Sequence, residues 1–468
     1  MRGKNLLILC AGAALGAGLF FSSGVALLLI AFSAFILYIK RRHNKQAAVI
    51  FLIAVILRVT LCILHVSIGY ALSKGSDTAG DAVGYSGGAA YIAELTTNTK
   101  IEKYLIADEL ANLRRFRSTY KGALPKYDDW RVDGYTYYLG LVYALFGYSP
   151  VTVKLINSLL FIISVYIIYR YLLDNFGQKT AFIFLPLALF IPSMFFWSIS
   201  GVKDQMIVFF FISGIFSLLY LVKAIKNRKS FFIICGYAPL IFLSAAGIRL
   251  FRPAALPVFY LMTGLVGSLY VFVSLQAYHK LIKVGIFLSV TCLLATPAAR
   301  DLSCRVYKRF TYASIAKSMV YQYDAVTRYQ IYPERYNYDE KMKKIGITKF
   351  NPPSVKEFAV MTLTGFYHVF FSPVAWFSRS KTELLASPEG HFMLITFFWA
   401  ACGIFFCFRN LKLFTLALPI IVPFFVLLAM LTYFEGNVGT LVRHKSVLLP
   451  FYCAILAIGI GGAAVNRE

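Results

Sequence analysis

Residues 40–70 have the sequence KRRHNKQAAVIFLIAVILRVTLCILHVSIGY, a basic cluster followed by a long apolar stretch. A transmembrane helix needs roughly 20 apolar residues, and lysine and arginine are enriched on the cytoplasmic side of membranes. The sequence therefore predicts a helix over 47–70 that starts in the cytoplasm. Before the basic cluster, the apolar residues 6–39 are interrupted at 22–24, which predicts a transmembrane hairpin over residues 1–45.

The rest of the chain has the same apolar character. Of its 468 residues, 59% are hydrophobic and 15% are charged, and the mean hydropathy is +0.69. A soluble globular domain has about 45–50% apolar and about 25% charged residues. These values exclude a disordered chain, a disulfide-rich secreted scaffold and an ordinary soluble enzyme. They predict an all-α polytopic membrane protein with about 12 transmembrane helices.

Two long polar segments, 73–149 and 300–390, are predicted as extracytoplasmic loops, with both chain termini in the cytoplasm. Short aromatic-rich stretches at 135–147 and 358–377 predict interfacial helices on the outer face. The sequence predicts four parts in chain order. They are an N-terminal transmembrane hairpin, 1–45; a membrane core with the first loop, 46–299; the second loop with its interfacial helix, 300–390; and C-terminal transmembrane helices, 391–468.

The net charge of +26 is unevenly distributed, since only four acidic residues lie outside the two loops against 24 basic ones. Positive-inside topology accounts for most of this excess, and contact with anionic lipid or phosphate groups is the alternative for arginines near the membrane surface. No soluble basic domain or stripe is present, so a nucleic-acid partner is not expected. Seven of the eight cysteines lie in apolar stretches, which argues against a disulfide framework or a zinc site.

Two charged residues of the N-terminal half are candidate site residues. Arg58 lies inside an apolar span, where a charge is either functional or paired with an acid; Asp204 and Asp81 are the acids considered. Asp81 lies in a glycine-rich stretch of the first loop. It is interpreted either as a proton acceptor or metal ligand, or as the N-cap of the run that follows it.

Three short segments predicted on the outer face carry further candidates. Lys203 and Asp204 lie in a turn between apolar helices, as a phosphate and metal contact or as a solvated turn. Arg249 and Arg252 are three residues apart. They are interpreted either as a pair that binds a phosphate or as side chains that snorkel to the membrane interface. Arg443, His444 and Lys445 precede the last span, where the alternatives are a specific phosphate or pyrophosphate site and anionic lipid headgroups.

Taken in order, these segments resemble the GT-C class of integral-membrane glycosyltransferases, which includes protein O-mannosyltransferases and lipid A aminoarabinose transferases. The five matching segments are Leu57-Arg58, the acidic segment Asp81-Ala-Val-Gly-Tyr85, Phe146–Pro150 followed by Lys154-Leu-Ile-Asn157, Lys203-Asp204, and Arg443-His444-Lys445 followed by Leu448-Leu449-Pro450. The resemblance covers roughly residues 47–460. The hairpin 1–45 lies outside the common pattern.

The resemblance implies transfer of a sugar from a polyprenyl-phosphate-linked donor to a glycan, lipid or protein acceptor at the extracytoplasmic face. It implies Asp81 as the base that activates the acceptor, near or on a divalent metal ion such as Mg²⁺ or Mn²⁺. It places Asp204 at the metal or the donor phosphate. Many relatives have a second acid directly after the first; here that residue is Ala82, which weakens the expectation of a metal.

Contacts to the donor phosphate are expected from Arg58, Lys203, Arg249, Arg252, Arg443, His444 and Lys445. The expected location is the bacterial inner membrane, and the expected role is cell-envelope polysaccharide or glycoconjugate assembly. An O-antigen or exopolysaccharide polymerase or ligase is the alternative, because such proteins also have many spans and basic outer loops. A non-enzymatic exporter is disfavoured by the length of the two loops, since exporters carry their charges inside spans joined by short loops.

Overall fold

The computed structural model describes residues 22–42, 44–71, 80–105, 107–125, 133–226, 231–274, 355–373, 381–435 and 438–465. The first 21 residues and most of the predicted second loop lie outside these ranges. Among the described residues, every regular element is a helix and none is a strand, which confirms the all-α class.

Fourteen α-helices are present in this part of the chain. In order they are α1 (Ser23–Arg42), α2 (Lys45–Ala71), α3 (Gly80–Thr97), α4 (Ala107–Tyr120), α5 (Gly134–Phe146), α6 (Pro150–Phe190), α7 (Pro192–Ser198), α8 (Asp204–Lys226), α9 (Phe231–Phe251), α10 (Leu256–Ser274), α11 (Val355–Phe371), α12 (Lys381–Phe408), α13 (Leu411–Phe434) and α14 (Val438–Val465).

The basic cluster of the opening sequence separates α1 from α2. Lys40, Arg41 and Arg42 occupy the last turn of α1, where positive charge is favourable to the partial negative charge of the helix end. The Asn44 side chain then accepts a hydrogen bond of 2.9 Å from the backbone N–H of Gln46, which satisfies one of the first donors of α2. Local sequence alone therefore ends one helix and starts the next.

Eight of the described helices are long and apolar enough to cross a membrane, and the chain is a membrane protein on this ground. The count of about twelve spans is not confirmed. Two predicted spans, 6–21 and 281–298, lie outside the described residues. The predicted span 230–248 corresponds to α9, whose apolar part, Gly236–Phe251, is shorter than the other candidates.

Two further predicted spans, 151–172 and 180–198, fall largely on the single helix α6. Its backbone departs from helical geometry at Gly177, with φ 86° and ψ 171°. A positive φ favours glycine, because a side chain would clash with the backbone in this conformation. Gly177 therefore divides α6 at about the place where hydropathy predicts the break. The helix α6 continues beyond Gly177 to Phe190, and Pro192 begins the short helix α7.

The predicted first loop contains three helices. α3 packs against both α4 and α5, and glycines allow the helices to approach. A Cβ atom added at Gly140 would lie 2.7 Å from a side-chain carbon of Ile92, and one added at Gly87 would lie 2.5 Å from Cβ of Asn112. The expected helix at 135–147 corresponds to α5, and the expected helix at 358–377 corresponds to α11. Their interfacial position remains a prediction.

The chain forms two compact units. The first consists of Met1–Arg170, Leu185–Ile212 and Ala246–Pro253; the second consists of Tyr171–Phe184, Ser213–Ala245 and Ala254–Glu468. In the first unit, α1 packs on α2 and the loop helices α3, α4 and α5 pack together. In the second, α14 packs on α12 and α13, and α13 also contacts α10 and α11.

The closest approach in the second unit is the crossing of α12 and α14. A Cβ atom at Gly459 would lie 2.1 Å from the carbonyl oxygen of Trp399, and one at Gly403 would lie 2.4 Å from that of Ile455. Small residues at such a crossing allow close backbone contact between membrane helices.

Gly459→Ala is expected to separate α12 and α14 and to lower the stability of the protein by about 1–3 kcal/mol, the usual cost of overpacking. The measurement is thermal unfolding in detergent. Gly264→Ala is the matched control, because no atom of the described residues lies within 4 Å of a Cβ atom there. Equal stability of the two variants would contradict the close crossing.

Candidate functional site

Three helix ends in the first unit bring four charged side chains together. Asp133 directly precedes α5, Lys203 and Asp204 lie at the start of α8, and Arg252 directly follows α9. We call Asp133, Lys203, Asp204 and Arg252 the ion-pair cluster. Asp133 also starts α5: its Oδ1 accepts a hydrogen bond of 3.1 Å from the backbone N–H of Thr136, as an N-cap does.

Two salt bridges form the cluster. Lys203 Nζ donates to Asp133 Oδ2, and Arg252 Nη1 donates to Asp204 Oδ1 at 3.5 Å. Asp204 is fully buried, whereas the side chains of Lys203, Asp133 and Arg252 are 17%, 27% and 33% exposed. The exposed edge of the cluster is therefore made of two cations and one carboxylate, and the buried carboxylate lies behind them.

A series of aromatic contacts connects the lysine with α3, α5 and α9. Lys203 Nζ lies 5.4 Å from the ring centroid of Tyr85, in cation–π range. The rings of Tyr85 and Tyr135 meet edge to face at 5.1 Å, and Tyr135 also meets Phe251 edge to face at 6.1 Å. A Cβ atom at Gly134 would lie 2.3 Å from the carbonyl oxygen of Leu250, so glycine allows α5 to pack closely against the end of α9.

The surroundings of Lys203 favour its charged form. Burial lowers the pKa of Lys203, but the neighbouring Tyr85 and the hydrogen-bonded carboxylate of Asp133 raise it by more, so the pKa lies above its usual value. The ammonium group is therefore charged at physiological pH.

Asp81 is the second residue of α3, inside the helix, and its side chain lies outside the described part of the structure. The helix begins one residue earlier, at Gly80. Tyr85 follows one turn later, which is about 6 Å along the helix axis. Because the Tyr85 ring contacts Lys203, the backbone of Asp81 lies one helical turn from a residue that contacts the ion-pair cluster.

Arg58 has a different set of partners from the acids expected of it. Its Nε donates to Ser198 Oγ at 2.9 Å and its Nη2 to the carbonyl oxygen of Leu189 at 2.8 Å. It is fully buried, and its guanidinium carbon lies 4.4 Å from the Phe195 ring centroid. Leu189 is in the last turn of α6, where carbonyl groups lack helical partners. Among the described residues, Arg58 forms no salt bridge, and its donors are directed at protein groups.

The predicted pair Arg249 and Arg252 is divided by the end of α9. Arg249 lies in the last turn of the helix and is exposed, whereas Arg252 follows the helix end at Phe251 and contacts Asp204. The backbone N–H of Arg252 still donates to the carbonyl of Ile248 at 2.8 Å. The structure therefore brings Arg252 into the ion-pair cluster and leaves Arg249 on the helix surface.

The basic triplet lies in the second unit, inside α14 rather than before the last span, because the candidate span begins at Leu441. Lys445 is fully buried; its Nζ donates to the carbonyl oxygen of Ser372, and it lies close enough to the buried Glu389 for an electrostatic interaction. His444 Nδ1 contacts Glu435 Oε1. Arg443 is partly exposed on the same helix.

The described residues do not fit a divalent metal ion. No three His, Cys, Asp or Glu side chains among them form a group that could hold one. Both carboxylates of the ion-pair cluster have a cation as partner, which disfavours a second, metal cation beside them. The side chain of Asp81, the other predicted metal ligand, lies outside the described part of the structure, and no step of the proposed reaction is routed through a metal ion.

Asp133 is the member of the cluster that the sequence analysis did not single out. Its position before the glycine and aromatic residues of α5 is a recognisable N-cap signal, but nothing in the local sequence indicates Lys203, which is 70 residues away, as its partner.

Residues 84–88 also match the G-x-S-x-G pattern of hydrolase nucleophiles. Ser86 lies in the interior of α3, buried near the hydroxyls of Tyr143 and Tyr148, and not at a strand-to-helix turn.

Comparison of the chain with protein-family models, with curated proteins and with solved structures finds no match. Function is therefore inferred from the chemistry of the ion-pair cluster and from the order of motifs in the sequence.

Removing one partner of the Lys203–Asp133 pair is expected to lower stability, because the other charge stays half-buried and unpaired. Lys203→Met and Asp133→Asn should each cost about 1–3 kcal/mol, and the double variant less than their sum. Because the pKa of Lys203 is raised in the folded protein, its contribution is complete below about pH 10.5 and is lost at higher pH.

The measurement is a double-mutant cycle by thermal unfolding, repeated from pH 8 to above pH 10.5. The difference between the wild type and Lys203→Met should shrink only at the alkaline end. Strict additivity of the two substitutions would mean that the pair is not coupled.

Arg58→Lys is expected to destabilise the protein, because an ammonium group cannot reproduce the directed guanidinium contacts to Ser198 and Leu189. The folded yield in detergent and the unfolding temperature should both fall. Arg41→Lys, on the exposed end of α1, is the control and should behave like the wild type. A stable Arg58→Lys protein with weakened phosphate binding would instead support the phosphate contact predicted from sequence.

Proposed function

We propose that this membrane protein is a glycosyltransferase that moves a sugar from a polyprenyl-phosphate-linked donor to a glycan, lipid or protein acceptor at the extracytoplasmic face. The observation that supports this most is the ion-pair cluster, with two cations at a partly exposed edge next to membrane-spanning helices. A lipid phosphate has its charge at the membrane boundary, where such an edge can reach it. The order of motifs that resembles GT-C enzymes adds to this support.

The cations suit the leaving group of this reaction. When the bond between the anomeric carbon and the phosphate oxygen breaks, polyprenyl phosphate departs with additional negative charge. Lys203 and Arg252 would stabilise that charge, and groups held in place before the reaction do so without reorganisation. In the free protein, Asp133 and Asp204 keep the two cations in position through the salt bridges.

The acceptor needs a base. In the proposed reaction the acceptor oxygen attacks the anomeric carbon, its proton passes to a carboxylate, and the phosphate oxygen takes the bonding electrons. Asp81 is proposed as that base from the resemblance, and its place one turn before Tyr85 on α3 puts its backbone near the cluster. A direct displacement needs no covalent enzyme intermediate, so no nucleophilic side chain is required. The site would face the outside of a bacterial inner membrane.

Lys203→Met is expected to reduce sugar transfer about 10-fold or more, mainly through a higher KM for the lipid donor, because one of the two phosphate contacts is lost.

Asp81→Asn is expected to leave folding intact and to lower kcat, since only the base is removed. Purified protein in lipid vesicles, supplied with radiolabelled polyprenyl-phosphate sugars, would measure both.

Lys100→Met, at an exposed position outside the cluster, is the matched control and should transfer sugar at the wild-type rate. Transfer by Lys203→Met with an unchanged KM for the donor would remove Lys203 from the phosphate site. Wild-type transfer by Asp81→Asn would remove Asp81 as the base.

A further inference from the structure

A buried amide next to the ion-pair cluster has no partner in the described part of the protein. Gln205, in the first turn of α8, is fully buried, and neither its Nε2 nor its Oε1 has a hydrogen-bond partner among the described residues. Buried polar groups in folded proteins almost always have a partner, because leaving one without costs free energy. Among the described residues, both polar atoms of this amide are left for a group that binds from outside the protein.

Asn157 of α6, which contacts the turn before Gln205, provides a second such atom. Its Nδ2 donates to the carbonyl oxygens of Ser200 and Val202, at 2.8 and 3.0 Å, and this anchors the turn that leads into α8. Its Oδ1 has no partner in the part of the chain that the structure describes. Val202 precedes Gln205 by three residues, so the Asn157 side chain contacts the turn that leads directly to Gln205. Together they offer one donor and two acceptors.

The chemistry of these amides differs from that of the cluster beside them. The cations Lys203 and Arg252 are partly exposed and suit an anion, whereas the amides are buried and neutral. A ligand group that satisfies an amide donor and an amide acceptor must both accept and donate a hydrogen bond and should carry no charge, because a buried charge would need a charged partner. Hydroxyl groups have this property, and a sugar carries several of them.

We propose that Gln205 and Asn157 form a hydroxyl-binding subsite that recognises the sugar of the donor, next to the cations that bind its phosphate. This inference rests on the proposed glycosyltransferase function and adds the part of the substrate that each group contacts. Gln205 is then a specificity-determining residue. Sites built to hydrogen-bond a hydroxyl reject ligands that lack it, because their buried polar groups are left unsatisfied.

The first test needs no ligand. Gln205→Met keeps the size of the side chain and removes the amide, so the free protein should become more stable, with Tm rising by about 2 °C. Gln46→Met, at an exposed position of α2, is the control and should leave Tm unchanged. A fall in the Tm of Gln205→Met would show that the amide is bonded within the protein, and it would overturn the inference.

The second test separates the sugar from the phosphate. The probes are farnesyl phosphate and farnesyl phosphate carrying glucose, mannose, galactose or arabinose, with binding measured on purified protein. Gln205→Met should bind the preferred glycosylated probe about 3- to 10-fold more weakly than the wild type and bind farnesyl phosphate equally well. Lys203→Met should weaken both.

The outcomes distinguish the two proposals. Equal affinity of Gln205→Met and the wild type for the glycosylated probe would overturn the hydroxyl subsite and leave the glycosyltransferase proposal standing. If the wild type bound farnesyl phosphate but none of the glycosylated probes, the glycosyltransferase proposal would fail, and the subsite would fail with it.

Discussion

The salt bridge between Lys203 and Asp133 joins the start of a membrane helix to a helix of the first loop, and the candidate site depends on it. The two residues are 70 positions apart in the chain. Asp133 also caps α5, so one carboxylate fixes both the beginning of that helix and the position of the lysine. A second salt bridge, from Arg252 to Asp204, adds the end of α9. Each helix end needs polar partners, and here those partners are the groups that can contact a ligand.

Polar groups inside the apolar helices serve a different purpose. Arg58 is buried, and it donates to the Ser198 hydroxyl and to the carbonyl oxygen of Leu189, which lies in the last turn of α6. Lys445, in the other unit, is likewise buried and contacts a backbone carbonyl. A charge at such a position is costly unless the protein itself satisfies it. Charges that remain at an exposed edge, such as Lys203 and Arg252, can exchange a protein partner for a ligand.

Much of the fold could be predicted from hydropathy, because helix-forming apolar segments and the breaks between them are local properties. The basic cluster at 40–45 marks the boundary between α1 and α2, and the break in α6 falls at Gly177. The number of transmembrane helices was harder to predict, since α9 has only a short apolar part. Local sequence could not show Ser198 and Leu189 as partners of Arg58, because the packing of helices distant in the chain brings them together. Lys203, Asp204 and Arg252 were found from their unusual charge, but Asp133 and Gln205 look locally like a cap and an ordinary helix residue.

The most direct test of the proposed function is mass spectrometry of lipid-linked saccharides in cells that lack this protein and are complemented with the wild type or with Asp81→Asn. The glycosyltransferase account predicts accumulation of a polyprenyl-phosphate monosaccharide that only the wild type relieves, and the accumulated lipid would identify the donor. Accumulation of a polyprenyl-pyrophosphate oligosaccharide would contradict it and indicate a polymerase or ligase.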